Sequence, residues 1–135
     1  MPIDHTGIHV PASKRVAVVE WYEAALKPLG YKRSMSFGPN GEVVGFSDSA
    51  DTGYMKSDWW ITGFTDEETY KSHHAFSAKD RPTVDAFYKA AIAAGGKDNG
   101  GPGLRSYHPN YYAAFVLDPA GNNIEVVCHL PAEGN

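Results

Sequence analysis

The residues best suited to chemistry in this chain are its six histidines. A neutral imidazole nitrogen ligates divalent metals, and the same ring moves protons near neutral pH. His5 and His9 stand in a short β-type segment, His5 to Val10, so on a strand they share a face with Gly7. In a second such segment His73 shares a face with Ala75 and Ser77, leaving His74, Phe76 and Ala78 opposite. A third sets Asn123, Glu125, Val127 and His129 on one side and Ile124, Val126 and Cys128 on the other. Each time the polar or less bulky side holds a histidine or a carboxylate, and the apolar side suits packing on a helix. His108 lies apart, in a Gly-rich loop after Gly100 that also carries Arg105, Tyr107, Tyr111 and Tyr112. There His108 can shuttle protons, with His9 as the competing base, and Arg105 can bind a substrate carboxylate. The plainer alternative is a solvated loop with a structural Pro-Asn turn. Cys128 falls on an apolar face and reads as an inert buried thiol.

The elements that must carry these residues follow from periodicity and turn chemistry. After the first strand, Ser13 can cap a helix with apolar positions Val18, Trp21, Tyr22, Ala25 and Leu29, ended by Pro28 and Gly30. Strands are expected over 31–37 and 42–47, with Asn40-Gly41 between them as the hairpin signal, and over 58–64. The order then repeats: a strand over 72–78, a helix opened by Asp80 and Pro82 and closed by Gly95-Gly96, and a weak strand near 97–99. Strands over 111–117 and 123–129 flank the turn Asp118-Pro119-Ala120-Gly121, and the tail from Pro131 should fray. Trp21 to Leu26 matches Phe87 to Ile92 in type and order, each followed shortly by glycine. Two copies of one β-α-β-β-β unit, over about 4–64 and 72–129, are the main reading.

Composition narrows the function. A chain of 135 residues with 42% hydrophobic residues and mean hydropathy −0.39 makes one globular domain. A net charge of −4 with no long basic run argues against nucleic acid and anionic membranes. One cysteine excludes a disulfide framework, and no apolar run approaches membrane-spanning length. No secretory signal is visible at the start, so a cytoplasmic protein acting on a small molecule is expected. No phosphate-binding loop, dinucleotide fingerprint or serine nucleophile elbow occurs.

Four stretches in order resemble the vicinal oxygen chelate superfamily of glyoxalases, bleomycin- and fosfomycin-resistance proteins and extradiol dioxygenases. They are Asp4-His5, Trp21 to Gly30, His73 to Phe76, and Phe115 to Glu125. The resemblance implies an α+β fold, with two βαβββ modules forming one curled, cup-shaped mixed sheet and helices on the outside. It also implies a divalent metal (Zn, Mn, Fe, Co or Ni) on His5, His73 and Glu125, with coordination positions left open for two neighbouring substrate oxygens. Isomerase or lyase, ring-cleaving dioxygenase and epoxide-addition chemistry are all compatible with such a site. Glyoxalase I relatives take a further acidic ligand where this chain has Trp60, so lactoylglutathione lyase activity is not expected. Trp60 instead suits a flat wall for a planar substrate, beside Arg105 and Tyr111 as further substrate contacts. The rival reading is a non-catalytic protein that sequesters a drug or metabolite. A homodimer is expected in either case, because the sheet edges are otherwise unprotected.

Overall fold

Ile8 and Val10 are buried while Thr6, Gly7 and His9 are exposed, so the first strand lays one face on a core and turns the other to solvent. That strand is β1 (Thr6–His9) of a computed structural model, which describes residues 3–49 and 56–132. Part of the Asp- and Ser-rich loop before Asp58 (50–55) and the end of the tail (133–135) lie outside the described residues. Helix α1 (Arg15–Ala25) buries Val18, Val19, Trp21, Tyr22 and Ala25, while Leu29, also marked by helical spacing, falls in the 3₁₀ turn that follows and is only partly buried. Ser13 does not cap it. A 3₁₀ turn over Ala12–Lys14 leads in instead, and the Ser13 backbone N–H donates to Asp66 Oδ1 at 2.7 Å. Gly30 ends the following turn at φ 86°, a left-handed conformation that favours glycine. Helix α2 (Arg81–Ala93) starts as expected: Asp80 Oδ1 accepts the Thr83 N–H at 2.9 Å, and Pro82 sits in the first turn.

The first repeat supplies β2 (Lys32–Phe37), β3 (Val43–Ser47) and β4 (Trp59–Thr62), in the order β1-β4-β3-β2. The second supplies β5 (His73–Ser77), β6 (Lys97–Asp98), β7 (Gly103–Leu104), β8 (Tyr112–Leu117) and β9 (Asn123–Cys128). Their order is β5-β9-β8-β6, with β7 also paired to β8. Strands β1 and β5 run parallel to β4 and β9; the other pairings are antiparallel. The repeat is therefore present, with β7 as an addition inside the loop expected to be irregular.

The single curled, cup-shaped sheet does not form. The strands make two separate sheets, neither closed nor strongly curled. The reason lies in where apolar surface goes. Side chains from both sheets and both helices join one buried cluster, in which Trp59 packs edge-on against His74 and Phe76 at 4.8 and 5.1 Å. Trp21 Nε1 donates to the Ala91 carbonyl at 3.0 Å, locking α1 to α2. Burying these large rings decides how the repeats meet, and the edge strands β1 and β5 pair only within their own sheets. A buried polar knot reinforces the junction: Asp118, in the β8–β9 turn, accepts the Tyr22 hydroxyl from α1 at 2.5 Å. Among the described residues no helix is long and apolar enough to cross a membrane.

Candidate functional site

The two-sheet arrangement divides the chemistry-bearing residues into two sets. On the second sheet, register places Ala75 and Phe115 on either side of Glu125. Glu125 is 3% exposed, and both its oxygens are engaged. Its Oε1 lies 3.2 Å from His73 Nε2, and its Oε2 accepts the Tyr111 hydroxyl. His73 Nδ1 faces the Asn123 carbonyl at 2.9 Å, which assigns the ring proton to Nδ1. The Nε2 lone pair then confronts a carboxylate oxygen, an approach that calls for a proton or a cation between the two atoms. An imidazole tied to a backbone carbonyl through its other nitrogen is how proteins orient metal-ligating histidines. His5 is held the same way, with Nδ1 on Asp4 Oδ1 at 2.6 Å and Nε2 left for a ligand. The donor chemistry of all three residues thus fits a divalent metal.

Their placement in one chain does not complete a site. His5 precedes β1 on the first sheet, and among the described residues no group of three or more His, Cys, Asp or Glu converges on a point. His5 and His73 line the same cleft between β1 and β5, but Glu125 does not. His5 also lines a groove of about 560 Å³ on the first sheet with His9, Phe37 and Trp60. The Trp60 indole stacks on Phe37 at 5.9 Å and 17° and lies across Gly45, where a Cβ would come within 2.7 Å of the ring. Trp59, its neighbour of opposite parity, is in the core.

The loop residues gather beside Glu125. Asn110 takes a left-handed φ of 67°, and Tyr111 follows it with its hydroxyl on Glu125. That hydrogen bond, then burial and the carboxylate's charge, push the Tyr111 hydroxyl up to about 12, so it stays protonated and donating at neutral pH. His108 Nδ1 faces the Pro109 carbonyl at 2.8 Å, and its Nε2 meets His129 Nδ1 at 3.0 Å. Both imidazoles contact the Tyr111 ring edge-on. Arg105 is committed to its own loop, donating to the Gly103 and Gly101 carbonyls at 2.9 and 2.8 Å while lying over Phe115. His129 is the residue that sequence reasoning undervalued. Its parity with Glu125 was the available signal, and its nearness to the chain end concealed it.

Asp58 lies just before β4, half-buried, with the Tyr31 hydroxyl on its Oδ2 at 3.0 Å. Burial pushes its carboxyl up, opposed by the Tyr31 hydrogen bond and aided by the charges of Asp48 and Asp4. A carboxyl raised on folding favours the folded state below its ordinary pKa and loses that contribution as pH rises through the folded value. Asp58→Asn is therefore more stable than the wild type at pH 7 and melts at a higher temperature. The difference disappears below about pH 4, and melting curves across this range check both signs.

A family model matches residues 3–126, described as the Glyoxalase/Bleomycin resistance protein/Dioxygenase superfamily. The chain belongs to this superfamily. Among solved structures it is similar to a glyoxalase/bleomycin resistance protein from Albidiferax ferrireducens T118, with 24% identity over 93% of this chain and 98% of that one, at TM-score 0.72. A glyoxalase/bleomycin resistance protein/dioxygenase family enzyme from Burkholderia phytofirmans PsJN has 23% identity over 96% of this chain and all of that one, at TM-score 0.68. A lactoylglutathione lyase from Agrobacterium tumefaciens shares 19% identity over 93% of this chain and 92% of its own, at TM-score 0.59. At these identities the likeness establishes the fold. Among curated proteins no match is found.

Proposed function

We propose that this superfamily member is a small-molecule enzyme whose reaction centre is built on His73 and Glu125 and completed by His5 of a second copy. The observation that carries the reading is the His73–Glu125 pair: two electron-rich atoms 3.2 Å apart, each held in place by a further hydrogen bond on the same residue. A divalent metal bound there would supply Lewis acidity toward two neighbouring oxygens of the substrate. Tyr111 keeps the carboxylate aimed and its own proton in place. His108 and His129, hydrogen-bonded to each other beside Tyr111, offer a proton acceptor and donor within the same cluster, with His9 the competing base on the first sheet. Trp60 presents a flat apolar surface to a planar substrate. Dimerisation is supported by the incomplete donor set of one chain and by the exposed alternate faces of β1 and β5.

The sequestration reading draws on one observation, the Trp60–Phe37 stack, which offers a planar binding surface without any metal donor beside Trp60 except His5 and His9. Complementation separates the alternatives. His5→Ala and Glu125→Gln variants each bind Zn(II) poorly, and a mixture re-formed after mild dissociation regains tight sites if donors come from two copies. No recovery places the three donors in one chain or removes the metal altogether. Wild-type protein that takes up no Zn(II), Mn(II), Co(II) or Fe(II) rejects the enzyme reading in favour of sequestration.

A further inference from the structure

Tyr111 stands directly before β8, and helix α2 holds the residue on either side of it. Asn110, at a left-handed φ of 67°, accepts on its side-chain Oδ1 from Arg81 Nη2 at 3.3 Å. Tyr112 donates its hydroxyl to Asp85 Oδ1 at 2.6 Å, and the Arg81 guanidinium lies over the Tyr112 ring, 5.1 Å from its centre. Arg81 and Asp85 are four residues apart, so they are neighbours on one face of α2. Among the described residues no carboxylate comes within ion-pair distance of Arg81, which leaves Asn110 and the Tyr112 ring as its partners. Tyr112 faces the helix, and successive residues of a strand point to opposite sides. Tyr111 shares parity with Phe115, which stands opposite Glu125 in the register, and its hydroxyl donates to Glu125 Oε2. Within the loop, the Arg105 N–H donates to the Tyr111 carbonyl at 2.8 Å, and the Tyr111 N–H to the His108 carbonyl at 3.3 Å. Those two bonds join one part of the loop to another; the contacts of Arg81 and Asp85 join it to a helix.

We propose that Arg81 and Asp85 are positioning residues, which hold the two neighbours of Tyr111 from α2 and thereby aim its hydroxyl at Glu125. A non-glycine residue at positive φ is uncommon, and asparagine tolerates it best because its short polar side chain can be tied down by a hydrogen bond. Here Arg81 supplies the tie. Without it Asn110 is free to return to negative φ, which turns the chain at the residue that follows. The Tyr112–Asp85 bond fixes the other side of Tyr111 in the same way. Hydrogen-bond strength falls steeply with distance and angle, so a small backbone shift is enough to part the hydroxyl from Glu125. The partners of a metal-ligating group tune its affinity for the ion, so the clamp reaches the metal through two intermediaries. That last step rests on the proposed role of Glu125; the aiming of Tyr111 does not.

The test uses full-length protein carrying carbon-13 at the tyrosine Cζ, the ring carbon whose signal reports the hydrogen bond of its hydroxyl. The Tyr111 signal is the one missing from Tyr111→Phe. In EDTA, Arg81→Ala should shift this signal toward that of a solvated tyrosine such as Tyr70, which is 99% exposed. Adding Asn110→Gly to Arg81→Ala should return it, because glycine takes the left-handed conformation unaided. A general loss of stability at the start of α2 would not be reversed in this way. Asp85→Ala, at an exposed position, should shift the signal in the same direction and keeps the test open if Arg81→Ala does not fold. Zn(II) affinity should fall about threefold or more in Arg81→Ala and recover with Asn110→Gly, a smaller loss than that from removing a ligand's direct partner. An unmoved Tyr111 signal in whichever single variants fold, or a shift that Asn110→Gly does not reverse, overturns the proposal. Wild-type protein that takes up no Zn(II), while the Tyr111 signal shifts and returns as described, rejects the metal reading and supports the clamp.

Discussion

Glu125→Gln lowers Zn(II) affinity by at least about tenfold, a cost of about 1.4 kcal/mol, while the metal-free protein melts within about 1 kcal/mol of the wild type. The asymmetry follows from what the side chain touches. Glutamine keeps a carbonyl oxygen for the Tyr111 hydroxyl, and its amide nitrogen can donate to the Nε2 lone pair of His73 in place of the carboxylate's approach to it. The apo fold therefore loses little, even though the position is only 3% exposed. A divalent cation loses the one formal negative charge among its proposed donors. Metal titration and thermal melting of the two proteins, with and without chelator, read the two effects separately. Unchanged metal affinity would remove Glu125 from the site and leave two histidines, too few donors for the proposed chemistry.

Asp118→Ala is expected to cost about 3–4 kcal/mol, well beyond the stability change expected at Glu125 or Asp58. Asp118 is 4% exposed and accepts four hydrogen bonds: the backbone N–H groups of Ala120 and Asn122, the Asn122 side-chain amide, and the Tyr22 hydroxyl. Alanine leaves all four donors without their acceptor, and the Tyr22 and Asn122 side chains are buried. Tyr22→Phe removes only one of the four, the hydroxyl that reaches Asp118 from the first repeat, and should cost about 1–2 kcal/mol. Because that bond joins α1 to the β8–β9 turn, urea unfolding should remain a single transition in the wild type and in Tyr22→Phe. Two separated transitions would show that the repeats are not held as one cooperative unit.

Local chemistry made much of the molecule legible beforehand. Asp80 and Pro82 announce a helix start because a side-chain acceptor and a missing N–H answer the unsatisfied donors of a first turn, and α2 begins there. Ser13 carries the same signal and is overridden: Asp66, distant in sequence, takes its backbone N–H, and a 3₁₀ turn forms in place of the cap. Asn40-Gly41 sits in the β2–β3 connection, but the loop spans residues 38–42, with Phe37 opposite Val43 and both Gly38 and Gly41 at positive φ. Strand β7 was hidden because Gly103 and Leu104 have no strand signature of their own; pairing with Ala113 and Tyr112 of β8 creates it.

Which side chains share a face of a strand is readable from residue order alone, because the period of two is a property of the extended backbone. His5 with His9, His73 with Ala75, Glu125 with His129, and Trp59 against Trp60 all follow from it. The two-fold repeat is readable in the same way, since helix and turn signals act over a few residues. How the repeats meet depends instead on long-range packing. Burial of Trp21, Trp59 and Phe87 in a shared core, and the Tyr22–Asp118 bond across it, produced two sheets in place of one curled sheet. Pairing of β5 with β9 brought His73 to Glu125, and the loop before β8 brought His108 to His129, while the two-sheet arrangement left His5 and Trp60 with the other sheet. Such contacts join residues dozens of positions apart, and their free energy depends on how large rings fit together, which no local pattern encodes.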